Sequence, residues 1–234
     1  MSVYNPFRGL TRFERALWMS SVLTVVVCFL IKPSMGWLSF AASLIGVTAL
    51  IFTARGEVIG QILIVVFASL YGVISWEQHY YGEMLTYLGM SAPIAIMSVI
   101  SWLRHPYRRG KHTEVAVNRL SRRELCILLA LTACVTTGFY FLLSKLGTEQ
   151  LIFSTLSVAT SFFAASLTFR RSPFYALAYA TNDVVLIVLW ILASMKDPSG
   201  IAMILCFLMF LVNDLYGFLN WLHMQKRQER ETAS

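Results

Sequence analysis

Two acids stand inside long apolar runs of this sequence, and each follows an asparagine: Asn182-Asp183 and Asn213-Asp214. Amides and carboxyls in such surroundings hold a polar ligand, an ion or one another, because no water is at hand to satisfy them. An Asp at the centre of a bilayer costs about 2.5–3.5 kcal/mol on insertion scales, so all four groups belong on interior faces. At about 100° per residue, Tyr175, Tyr179, Asn182 and Trp190 fall on one helix face. Asn213 and Tyr216 share a face of the next run, with Asp214 about a quarter turn away. Earlier in the chain the polar and aromatic positions are sparser: Gln61, Tyr71 and Trp76 on one run and Tyr87 on the next. Rings that stack and amides that bind a polar edge suit a flat heteroaromatic ligand. The same groups also suit a hydrogen-bond network between helices, and spacing leaves both readings open.

Catalytic chemistry finds no such support. Serines such as Ser161 and Ser166 have no histidine within the apolar runs to activate them. His79, His105, His112 and His223 lie near run ends or in loops, with no H-E-x-x-H spacing. Cys28, Cys126, Cys134 and Cys206 form no C-x-x-C pair and read as small apolar side chains. No Walker motif is present. The expectation is a protein that is not an enzyme, with no catalytic residues, no bound metal and no cofactor.

The elements that position the candidates are apolar runs at roughly 17–31, 36–54, 58–76, 82–102, 124–144, 151–169, 174–194 and 201–221. A helix needs about 20 residues to cross a hydrocarbon core of about 30 Å. The composition agrees: 57% of the 234 residues are hydrophobic and 13% charged, which calls for lipid as solvent. Threading eight crossings from an inside N-terminus places sixteen of the nineteen Lys and Arg residues inside and only Lys32, Lys145 and Lys196 outside. That asymmetry follows the positive-inside rule and predicts a multi-pass inner (cell) membrane protein with both termini cytoplasmic. The net charge of +7 therefore reports topology and anionic lipid rather than nucleic acid. The first run lacks a small-x-small cleavage pattern and reads as a retained anchor. Thr11-Arg-Phe-Glu14 and Ser121-Arg-Arg-Glu124 read as capping boxes opening the first and fifth spans.

Landmarks repeat along the chain. Arg55 and Arg170 lie 115 positions apart, Trp76 and Trp190 114 apart, Trp102 and Trp221 119 apart. The division this suggests is an N-terminal segment and first span at 1–35 and a first triple-helix repeat at 36–104. A basic cytoplasmic linker with its linker helix follows at 105–149, then a second triple-helix repeat at 150–226 and a cytoplasmic tail at 227–234. With one span between them the two repeats run parallel. The fold expected is an all-α integral membrane protein of eight transmembrane helices. Its core resembles the 3+1+3 layout of the SWEET sugar porters, with an extra N-terminal helix.

Three stretches carry a further resemblance. Asp214-Leu-Tyr-Gly-Phe-Leu-Asn-Trp221 resembles the N-x-Y-G-W-Y-x-W signature of the PnuC-type nicotinamide riboside transporters. Leu70-Tyr-Gly-Val-Ile-Ser-Trp-Glu-Gln-His-Tyr-Tyr81 is similar to a helix end and turn in that family's first half, and Asn182 followed by Leu189-Trp190 to its N-x6-L-[YW] pattern. The departures are Tyr175 and Ala178 where the family has tryptophans, Asp214 for the signature's first Asn and Phe218 for its first Trp. The resemblance implies uptake of nicotinamide riboside, a cytoplasmic kinase that phosphorylates and traps it, and a homo-oligomer, a trimer. Members of the same layout carry thiamine, riboflavin or other nucleosides, which are the alternative substrates. The substrate-binding set expected is Gln61, Tyr71, Trp76, Tyr87, Tyr175, Tyr179, Asn182, Asp183, Trp190, Asn213, Asp214 and Tyr216. Tyr175, Tyr179 and Trp190 would wall in the pyridine, and Asn182 and Asn213 would bind its carboxamide or the ribose. Asp183 or Asp214 would face its positive charge. Spans without Lys, Arg or His, and with no evident relay between the two acids, predict facilitated diffusion.

Overall fold

The computed structural model describes residues 6–31, 36–77, 81–107, 114–148, 150–195 and 201–233. After a short 3-10 turn, Pro6–Gly9, come α1 (Arg12–Ile31), α2 (Gly36–Ala54), α3 (Val58–Glu77) and α4 (Tyr81–Met84). A π-helical segment, Leu85–Ser91, joins α4 to α5 (Ala92–Arg104). The chain continues as α6 (Arg122–Lys145), α7 (Leu151–Phe169), α8 (Phe174–Ser194) and α9 (Ile201–Ala233). Among the described residues eight helices are long and apolar enough to cross a membrane, counting α4, the π segment and α5 as one. Among the described residues there is no strand, only isolated bridges at Glu57–Glu114 and Pro106–Val115.

Helices α2, α3, α5, α7, α8 and α9 pack in that order, and α9 returns to α2, so six helices close a ring. Helix α1 lies outside it against both α2 and α9, and α6 leans chiefly on α7. Both capping boxes form. Thr11 N donates to Glu14 Oε2 at 2.6 Å and Glu14 N to Thr11 Oγ1 at 3.2 Å, and Ser121 and Glu124 exchange the same pair.

Helices α2 and α7 end in the same way, 115 positions apart. Gly56 N donates to Thr53 O and Glu57 N to Phe52 O; Arg171 N donates to Thr168 O and Ser172 N to Leu167 O. These are Schellman caps, and each needs a left-handed residue just past the helix. Gly56 takes it at φ 69° and Arg171 at φ 58°. At the second turn a side chain that disfavours this backbone is accepted, and its guanidinium donates to Ser101 Oγ at 3.1 Å.

The last helix does not stop near residue 221. It continues to Ala233, and residues 227–233 of the segment expected to be a cytoplasmic tail, 227–234, pack on the linker. Gln228 is buried, accepting from Val117 N at 2.8 Å and donating to Val115 O at 3.1 Å, while Arg227 pairs with Glu114 and Arg119 with Glu229.

Arg55 does more than mark topology. Its guanidinium reaches Glu57 at 2.7 Å and Glu14 at 3.2 Å, and both carboxylates are almost fully buried. Tyr216 of α9 donates to the other oxygen of Glu14 at 2.8 Å. Replacing Arg55 with Met removes the cation and leaves two buried carboxylates facing each other. Breaking such a group from one side costs about 3–5 kcal/mol. The Arg55→Met protein should melt roughly 10 °C lower in detergent, measured by thermal unfolding.

Candidate functional site

Helix α8 is met by α7 on one side and α9 on the other, so its polar face is read by both. Towards α7, Asn182 Oδ1 accepts from Ser157 at 3.2 Å and Ser161 at 3.1 Å, with Thr160 at 2.8 Å. These hydroxyls stand at i, i+3 and i+4 of one helix and so form one patch. Thr160 shares its single proton between this amide and the Leu156 carbonyl at 2.9 Å. The Oδ1 edge of Asn182 is thereby held. Among the described residues no hydrogen bond from its Nδ2 edge is seen.

One residue on, the chain turns by about 100° and Asp183 faces α9. Its carboxyl lies close to that of Asp214 across the α8–α9 contact. Both residues are buried, at 4% and 6% exposure, and Asp183 Oδ2 has no partner among the described residues.

Tyrosines surround the pair. Tyr179 of α8 lies near Asp214 and Asp183. Tyr87, on the π segment of the first half, is within range of Tyr179 across the ring. Tyr87 in turn packs on Tyr71 of α3 with centroids 4.5 Å apart, and Phe67 stands edge-on at 6.0 Å. Tyr175, one turn nearer the arginine-bearing end, meets Trp221 edge-on at 4.9 Å. It belongs to a dry cluster with Trp102, Leu167, Val58, Val115 and Met224.

The structure thus brings Asp183 and Asp214 together beside Asn182, with Tyr179 near them and Tyr175 beneath, while Tyr71 and Tyr87 pack on each other in the first half. Trp190 is half-buried two turns further along the Asn182 face of α8. Gln61 is buried near the start of α3, where its Nε2 donates to Thr53 Oγ1 at 3.2 Å. Three expected residues stand elsewhere. Trp76 is 59% exposed at the end of α3. Asn213 donates to Ser21 of α1 at 2.9 Å, and Tyr216 is held by Glu14. The last two hold α1 on the ring's outer side, because their face of α9 meets α1 rather than α8. A separate groove of about 730 Å³ opens on the flank of the ring between α6, α7 and α8, bordered by Thr160, Phe163, Leu177 and Thr181. None of the twelve expected residues lines it.

Residues 36–223, the ring with the linker and α6, match the family described as nicotinamide mononucleotide transporter. The chain belongs to that family. Among its similar proteins, the nicotinamide riboside transporter PnuC of Neisseria mucosa is 26% identical over 225 residues, covering 94% of this chain and 85% of the relative. The nicotinamide riboside transporter PnuC of Haemophilus influenzae is 22% identical over 219 residues, covering 94% and 93%. A solved crystal structure of the vitamin B3 transporter PnuC matches at a TM-score of 0.78 and 25% identity, covering 94% of each chain. The resemblance read from 70–81 and 214–221 to this transporter family is therefore met, as is an all-helical chain of eight spans. What spacing missed within the family fold is the serine–threonine patch on α7, whose hydroxyls carry no periodic signal apart from their apolar neighbours.

Proposed function

We propose that this member of the nicotinamide mononucleotide transporter family carries nicotinamide riboside, held inside the six-helix ring at Asn182. Its relatives' names and the family's description differ by one phosphate, and the interior supports the form without it. The ring helices place no Lys, Arg or His at membrane depth, whereas Asp183 and Asp214 stand there together. A phosphate dianion asks for cations or a nest of N–H donors, and a pyridinium asks for negative charge and ring faces. The observation that carries this reading is the acid pair beside Asn182, with Tyr179 near it and the Tyr71–Tyr87 pair in the other half of the ring. The Nδ2 edge of Asn182 would donate to the carboxamide oxygen or a ribose hydroxyl, and the tyrosines would flank the ring.

Transport is read as facilitated diffusion because the spans carry no Lys, Arg or His, and both termini are read as cytoplasmic because the arginine-rich loops cluster at one end. Phosphorylation inside the cell by a separate kinase would then trap the product.

Calorimetry on the purified protein tests the substrate. Nicotinamide riboside should bind at least about a hundredfold more tightly than nicotinamide mononucleotide, the scale of leaving a charged group unpaired in a buried site. Equal affinity for the mononucleotide, or tighter binding of thiamine or riboflavin, would sink the assignment.

A further inference from the structure

The arginine-bearing end of the ring is sealed by two matching brackets. In the first half Ser101 Oγ donates to Phe169 O at 3.0 Å and Trp102 Nε1 to Thr168 O at 3.0 Å. In the second, Asn220 Nδ2 donates to Ala54 O at 2.9 Å and Trp221 Nε1 to Thr53 O at 2.9 Å. Donors and acceptors are each related by their constant offset along the chain. The reason lies in the helix ends. A Schellman cap leaves the carbonyl of the last helical residue without a backbone partner. Ala54 O and Phe169 O are those carbonyls, and the opposite half supplies a side chain to each. A strap crosses both turns: Val115 N donates to Gly56 O and Asn118 N to Arg171 O, each at 3.0 Å. Trp102 and Trp221 meet between the brackets with centroids 5.5 Å apart, and both are fully buried.

The two seams differ in what surrounds them. Helix α1 staples the α2–α9 seam. Trp18 Nε1 donates to Thr48 of α2 at 3.1 Å, while Asn213 and Tyr216 of α9 bind Ser21 and Glu14. Helix α9 also runs unbroken for 33 residues. Among the described residues the α5–α7 seam adds one further hydrogen bond, Arg171–Ser101, to its apolar packing. Its mobile candidate, α5, is joined to the rest of its span by seven π-helical residues and has Pro93 in its first turn. A π segment and a proline are the places where a helix bends with least loss of backbone bonding.

We infer that the exit at the arginine-bearing end opens along the α5–α7 seam, by α5 pivoting on the π segment and withdrawing Ser101 and Trp102 from the α7 carbonyls, while the α2–α9 seam stays shut as the hinge. This deepens the transport reading and rests on it.

The test fixes each seam in turn. Cys28, Cys126, Cys134 and Cys206 are first replaced by Ala, since the sulfurs of Cys28 and Cys206 lie 3.8 Å apart and would oxidise together. Ser101→Cys with Phe169→Cys then bridges one seam, and Ala54→Cys with Asn220→Cys the other. Oxidising the first pair should cut uptake of nicotinamide riboside into vesicles to below about a tenth of its reduced rate, and reduction should restore it. Oxidising the second should leave at least about half. Loss with both pairs, with neither, or with the second alone overturns the inference. The reduced proteins report separately on the transport reading, which fails if they take up no nicotinamide riboside. In that event spin labels decide the seam: a pair at Leu103 and Phe174 should show a broader distance distribution than one at Ile62 and Leu219, with and without substrate. Equal widths or the reverse order overturn it.

Discussion

Alanine at Gly60 should lower the melting temperature by roughly 5–10 °C, and Gly138→Ala should leave it unchanged or slightly raised. The turn at Arg55-Gly56-Glu57 folds α3 back on α2 so closely that Gly60 lies on the α2 backbone. An added Cβ would stand 2.9 Å from the Phe52 carbonyl carbon and closer still to the Thr53 nitrogen. Backbone atoms cannot swing aside as a side chain can, so the helices must separate. Overpacking of this kind costs about 1–3 kcal/mol, which for a chain of this size is several degrees. Thr53 magnifies the cost because three contacts meet there. Its carbonyl accepts from Gly56 N and Trp221 Nε1, and its hydroxyl from Gln61. Any shift of α3 therefore disturbs the α2–α9 bracket as well. At Gly138, on the exposed side of α6, a Cβ meets nothing within 4 Å, and only the higher helix propensity of alanine, worth up to about 1 kcal/mol, remains. Thermal unfolding of the two variants side by side measures the difference, and equal melting temperatures would show that the α2–α3 approach is looser than it stands here.

The same contrast explains what sequence could and could not convey. Span positions were legible because length and apolarity are properties of each run by itself. Both capping boxes were legible for the same reason, since every bonding partner lies within three residues. The offset of Arg55 and Arg170 was visible too, and the matching caps at Gly56 and Arg171 are its physical content. A helical wheel, by contrast, gives angles between side chains on one helix and says nothing about which neighbour each angle meets. Asn213 and Asp214 are adjacent in sequence, yet one meets α1 and the other α8. Trp76 shows the same limit at a helix end, where an aromatic suits an interface as well as an interior. The brackets were out of reach in principle. Their acceptors, the carbonyls of Thr53, Ala54, Thr168 and Phe169, are backbone atoms and carry no residue signature. The packing of the tail was out of reach too, since Gln228 and Arg227 hold it to the linker by contacts more than a hundred residues apart in the chain.

Asn182→Leu should weaken nicotinamide riboside binding by about 30–100-fold while the protein stays folded. Leucine fills a similar volume, so the ring keeps its packing. It cannot donate to a ligand, and a buried polar group of the substrate left without its partner costs about 1–3 kcal/mol, up to about a hundredfold in affinity. Thr160 already uses the Leu156 carbonyl, and the Ser157 and Ser161 hydroxyls can turn to carbonyls one turn back on their own helix, so stability changes little. Asn213→Leu gives the opposite pattern. It frees Ser21, loosens α1 and lowers the melting temperature, with affinity changed by less than about threefold, because this amide faces away from the acid pair. Ser157→Ala with Ser161→Ala probes the middle case. It leaves the Asn182 donor in place but unfixed, so affinity should fall by only about three- to tenfold, the loss of orientation rather than of the bond. Titration calorimetry on the three proteins separates these outcomes. If Asn182→Leu binds as tightly as the parent, the ligand does not sit at this amide, and the patch on α7 serves only to join two helices.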